Sequence, residues 1–155
     1  MLSQELAEQL THMNGTAYKY NMGRLISNSM SCVKGVYDFS KVGGAIGSFN
    51  LVDDDGNPVV IPSGALILNA FAFVYTAATS GGSATIALTA ESAGDLLAAT
   101  AVASFSASAK LQGVPDFGTL ADSVLTTAAR ILQATVAVAA LTAGKVEVYV
   151  FYVLT

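Results

Sequence analysis

Ala65-Leu-Ile-Leu-Asn-Ala-Phe-Ala-Phe-Val-Tyr75 contains no charge, no glycine and no proline. Its phenylalanines, Ile67 and Val74 suit a pleated strand. Simple alternation puts Ile67, Asn69, Phe71, Phe73 and Tyr75 on one face and Leu66, Leu68, Ala70, Ala72 and Val74 on the other. Both faces are largely apolar, so the strand is predicted to lie between two covered layers.

Working outward, the C-terminal stretch Lys145-Val-Glu-Val-Tyr-Val-Phe-Tyr-Val153 reads the same way, with Val146, Val148, Val150 and Tyr152 sharing a face. It is joined to a strand over Arg130–Val138 by a turn expected around Leu141–Gly144. Upstream, Val36–Lys41 and Ala45–Val52 are two short runs split by Gly43-Gly44, and Asp53–Pro58 closes the second. Val59–Gly64 is a brief edge strand stopped by Pro62, because proline cannot donate to a sheet ladder. Ser80–Ser83 is a glycine turn leading to Ala84, Ile86 and Leu88, which alternate with Thr85, Ala87 and Thr89 in a half-buried strand. Asp95 is expected to cap one helical turn, Ala101–Ala107 to resume strand, and Leu111–Asp122, with Gly113, Pro115 and Gly118, to be a long loop. Alanine favours helix over Leu96–Ala109 and Leu120–Ala140. Threonine, serine and valine alternate through both runs, and the strand reading is kept.

The first residues differ. Leu2, Leu6, Leu10 and Met13 recur at helical spacing, with Ser3 as N-cap and Gly15 as stop. The expectation is therefore mainly β: an antiparallel β-sandwich or jelly roll of about eight strands over 32–155, preceded by a helical or extended arm and connector over 1–31.

The chain has 155 residues, of which 53% are hydrophobic and 12% charged, with a net charge of -4. That charged fraction is about half the usual value for a soluble domain. Much of the surface is accordingly expected to be covered by other subunits. No Lys or Arg occurs between Val42 and Ala109, and the seven basic residues form no cluster, which argues against direct nucleic-acid binding. No window approaches the roughly 18 apolar residues of a membrane span, and no membrane partner is expected.

Chemistry is sparse. Gly81-Gly82-Ser83 lacks the Gly-Lys-Ser/Thr of a phosphate loop. Asp53-Asp54-Asp55-Gly56-Asn57 would need a glutamate at its twelfth position to be an EF-hand, and that position is Gly64. His12 has no nucleophile elbow to serve. Cys32, with Lys34 nearby, reads as a half-buried structural thiol. Arg130 enters an apolar strand, either as a strand-end charge or to meet a carboxylate across a subunit contact. No catalytic, cofactor or metal set emerges, and the chain is not expected to be an enzyme. The one interaction set is Leu2, Leu6, Leu10 and Met13, an apolar stripe suited to a groove on a neighbour.

Several motifs, in order, resemble small structural proteins of tailed bacteriophages. They are Tyr37-Asp-Phe-Ser40 with Gly43-Gly-Ala-Ile-Gly47, Ile61-Pro-Ser-Gly-Ala-Leu-Ile67, Ser80-Gly-Gly-Ser-Ala-Thr-Ile-Ala-Leu88, Asp95-Leu-Leu-Ala-Ala-Thr100 and Leu141-Thr-Ala-Gly-Lys-Val-Glu-Val148. The resemblance implies a virion protein assembled in the host cytoplasm, and foremost a capsid decoration or cement protein that binds the major capsid protein. Self-association, with a trimer preferred, follows from the low charge and the two-sided apolar strands. A head-fibre base or tail-associated protein is the structural alternative. A carbohydrate-binding module is the other, with Tyr37, Tyr75, Tyr149 and Tyr152 as stacking surfaces, although core packing accounts better for those tyrosines.

Overall fold

Two antiparallel sheets pack face to face in the computed structural model, which describes residues 30–155. The arm residues Leu2, Leu6, Leu10 and Met13, together with His12, lie outside the described residues. The strands are β1 (Ser31–Asp38), β2 (Gly47–Asn50), β3 (Val60–Ile61), β4 (Ala65–Ser80), β5 (Thr85–Thr89), β6 (Leu97–Ala101), β7 (Lys110–Asp116), β8 (Val124–Leu125), β9 (Arg130–Ile131), β10 (Gln133–Ala137) and β11 (Leu141–Leu154). Three of them are two-residue pairings, which leaves eight longer strands.

One sheet runs β1-β11-β4-β7, with β8 added beside β4, and the other runs β2-β10-β5-β6; β3 and β9 form a separate pair. Counted over the eight longer strands, these orders are 1-8-3-6 and 2-7-4-5. All successive longer strands cross between the sheets except β5 and β6, which pair directly, and the first pairs with the last, which is the wiring of two Greek keys folded together in a jelly roll.

The core lies between the sheets. Ile67, Ala70, Ala72 and Val74 of β4 and Val146, Val148 and Val150 of β11 face Ile86, Leu88, Ala134 and Val136 of the opposite sheet. Phe105, fully buried, closes one end. The side chains of the described residues leave no buried polar atom unpaired.

Several local expectations are corrected. The first strand starts at Ser31 and ends at Asp38, whose carboxylate accepts the Ser40 N–H and caps a helical turn, α1 (Phe39–Val42). Asp95 does not cap a following helical turn. Its carboxylate accepts the backbone N–H groups of Ala90, Glu91 and Ser92 and closes the turn before β6. Ala101–Ala107 is not strand beyond Ala101, because Val102–Ser104 make a 3-10 turn. Leu111–Asp122 is not a loop throughout: β7 pairs with β4 despite Pro115, since β7 is the outermost strand on that side and has no second ladder to feed. Gly113 makes the pairing possible, because any Cβ there would collide with the carbonyl oxygens of Leu96 and Ala70. The turn expected at Leu141–Gly144 is tighter and earlier, at Val138–Ala139, and β11 already begins at Leu141.

The faces of β4 also differ from simple alternation. Phe151 pairs with Asn69 but Tyr152 pairs with Ile67, so Leu68 is an extra residue, a bulge. Each bulge residue reverses the side-chain phase. Ile67 therefore points into the core with Ala70, Ala72 and Val74, while Phe71, Phe73 and Tyr75 point outward.

Candidate interaction surface

The bulge in β4 builds a second apolar face, on the outside of the five-stranded sheet. The ladder registers bring Lys34, Tyr149, Phe71 and Gln112 into one row, and Val36, Glu147, Phe73 and Lys110 into the next. Cys32 and Phe151 head the adjoining row. Phe71 stacks on Tyr149 with ring centroids 5.0 Å apart and on Phe151 at 6.0 Å, and Phe73 meets Tyr75 edge-on at 4.8 Å. Such aromatic pairs contribute beyond the area they cover. Tyr75 remains 55% exposed.

Phe117 extends this face from the turn after β7, lying 6.5 Å from Phe151 and 56% exposed. Its backbone sits at φ 65°, a left-handed conformation unfavourable for a bulky residue. The turn is held by the Phe117 N–H donating to the Leu68 carbonyl and the Gly118 N–H donating to the Asp116 carboxylate. Local strain is thus accepted to hold an aromatic ring in solvent. Phe117 escaped the sequence reading because it follows Pro115 in a segment read as loop.

Lys34, Glu147 and Tyr149 on this face are tied into one polar cluster. The Lys34 ammonium lies 2.7 Å from Asp54 and 4.0 Å from Glu147, and the Tyr149 hydroxyl donates to Glu147 at 2.7 Å. The hydrogen bond to Glu147, with partial desolvation, pushes the Tyr149 hydroxyl up to about 12. The outside of the other sheet is different in kind: Ser48, Thr135, Thr85, Ala87, Thr89 and Gln133 are small or polar, and Ser48 hydrogen-bonds Thr135. The two outer faces therefore present different chemistry, one aromatic and one hydroxyl-rich.

The other residues singled out by sequence are dispersed. Arg130 forks onto Glu91 of the same chain, at 2.8 and 2.7 Å, and Thr127 donates its hydroxyl and its N–H to the same carboxylate. No subunit contact is needed to pair it. Arg130, then Thr127, hold the Glu91 carboxyl down at about 2. Asp53 accepts the N–H groups of Asp55 and Asn57 within its own turn, which lowers its carboxyl, while Asp54 serves Lys34. Cys32 is exposed on the outer face, not half-buried. Lys34 is committed to Asp54, and the thiol is pushed up by partial desolvation. Of the four tyrosines, Tyr37 is in the core, donating to the Gly43 carbonyl, and Tyr152 packs against the core. Tyr75 and Tyr149 lie on the outer face, contrary to the core-packing expectation. Among the described residues no three His, Cys, Asp or Glu side chains are placed to hold a metal ion, and no helix is long and apolar enough to cross a membrane.

Chains of similar fold occur in solved structures of phage particles. The fold is that of chains found in phage capsids. A chain in the acidic stable capsid structure of Helicobacter pylori bacteriophage KHP30 superposes with a TM-score of 0.56 at 18% identity, covering 82% of this chain and 90% of that one. A chain of the cyanophage Pam1 capsid asymmetric unit gives 0.54 at 22% identity, over 83% and 87% of the two chains. A chain from the capsid of Ralstonia phage GP4 gives 0.57 at 15% identity, over 83% and 86%. No family model and no curated protein matches by sequence. The fold is therefore shared with little sequence in common, and a shared fold does not by itself fix a function.

Proposed function

We propose that the chain is a non-enzymatic virion protein, a capsid decoration or cement protein on the outer surface of a phage head. The observation that carries this reading is the likeness to chains of three phage capsids over more than four-fifths of this chain. The aromatic outer sheet face supports it, because an apolar surface of this kind on an otherwise weakly charged protein is suited to burial in an assembly. In this reading the chain self-associates, as a trimer, and each oligomer seats over a junction between major capsid subunits. Several weak contacts made by one rigid oligomer act at high effective concentration, and the shell resists internal pressure better. Leu2, Leu6, Leu10 and Met13 supply the apolar stripe of the arm that orders on assembly.

The test is addition of the purified chain to heads that lack it. Saturable co-sedimentation, with raised resistance of the heads to heat, is the expected result. Binding to isolated tails or fibres in preference to heads would transfer the protein to the tail or fibre base. Tyr75 and Tyr149 favour a glycan-binding reading to a lesser degree: the hydroxyl of Tyr149 is already used by Glu147, and phenylalanines, which cannot hydrogen-bond a sugar, dominate the face. Strong selective binding on a glycan array would promote that reading.

A further inference from the structure

We infer that the outer aromatic face of the five-stranded sheet is the seat of the N-terminal segment 1–13 of a neighbouring copy, so that the arms are exchanged around the oligomer. This rests on the self-association proposed above and names the surface that receives the arm. A sheet with two apolar faces needs a layer on each, and here only the inner face has one among the described residues.

The dimensions agree. A helix over Leu2–Met13 would be about 18 Å long, and the four strands β1-β11-β4-β7 span about 14 Å at their usual spacing. Leu2, Leu6, Leu10 and Met13 fall on one side of such a helix, with Glu8 opposite. Charge agrees as well: Glu5 flanks the apolar stripe of the arm, and Lys110, on the β7 rim of the face, has no ion-pair partner among the described residues.

The point of attachment favours exchange. The chain enters the sheet at Ser31, one residue before Cys32, which pairs with Phe151 at the head of the aromatic rows. An arm folding onto its own sheet would need a connection of about 2–6 residues. The stretch 14–30 is far longer and reaches up to about 55 Å when extended, enough to cross to an adjacent copy.

Cys32, exposed on this face and the chain's single cysteine, provides the test. The full-length Leu10→Cys variant, with Leu6→Cys as an independent second position, is oxidised mildly and run on a non-reducing gel beside a size measurement in solution. Covalent multimers are expected, several-fold more abundant than with Glu8→Cys and absent when Cys32→Ser is added. A disulfide closed within single chains would overturn exchange, since the arm would then cover its own sheet. Intact oligomers without cross-linking at either position would overturn this inference alone and leave self-association standing. A monomer at every concentration would instead remove the self-association on which the inference rests.

Discussion

Thr126 shows how much one buried hydroxyl can organise. It is fully buried; its hydroxyl donates to the Pro62 carbonyl at 2.7 Å and accepts the Ala65 N–H at 2.9 Å, pinning the turn that launches β4. Thr126→Val keeps the shape and removes both bonds. The expected loss is about 1–3 kcal/mol in a urea melt, the typical cost of leaving buried polar groups unpaired. An unchanged midpoint would show that these hydrogen bonds add nothing to stability. Glu91 gives a pH signature. Its carboxyl titrates near 4.5 in an unfolded chain and at about 2 beside Arg130 and Thr127. The folded form thus favours the ionised carboxylate; that stabilisation is complete above about pH 4.5 and is lost as pH falls toward 2. Thermal melts from pH 6 to 2 should show this slope, and Glu91→Gln should flatten it. Arg130 was identifiable from sequence as a charge in apolar surroundings, but Glu91, 39 residues away, was not. Nothing local ties the two together.

At the scale of elements, the decisive irregularities are bulges and tight turns. Between β10 and β11 the chain reverses through Val138, at φ 72°, with the Ala139 N–H donating to the Ala137 carbonyl across a three-residue turn. A β-branched residue in that conformation is strained, by about 1–3 kcal/mol. Val138 is 70% exposed and loses little packing on truncation. Val138→Gly should therefore stabilise the protein by about 1 kcal/mol after the greater chain entropy of unfolded glycine is subtracted. Denaturant midpoints check the sign, and a lower midpoint would mean that the turn carries no strain. The strands themselves were legible where alternation is clean, as in Ala84, Ile86 and Leu88 or Val146 to Tyr152. The inward set of β4 was not, because a bulge is created by pairing with β11, and the residues that flank it carry no distinctive mark.

For the whole molecule, the wiring sets the kinetics. β1 pairs with β11 and β2 with β10, so both sheets close contacts between the two ends of the described chain. Loop closure over such separations precedes most of the stabilising burial. Refolding by stopped-flow fluorescence from urea is expected in the millisecond-to-second range typical of non-local β topologies. A microsecond phase that recovers the full native signal would show that a local hairpin suffices as nucleus.

By itself the sequence determined that the chain would be β-rich and lightly charged. Those properties follow from composition and from a two-residue period, both local. Tertiary structure alone decided which side of β4 faces the core, that Gly113 and Pro115 lie in a strand, and that Phe71, Phe73, Tyr75, Phe117, Tyr149 and Phe151 converge on one outer face. Each of these depends on which strands become neighbours and in what register, and a one-residue slip in register turns a buried face outward.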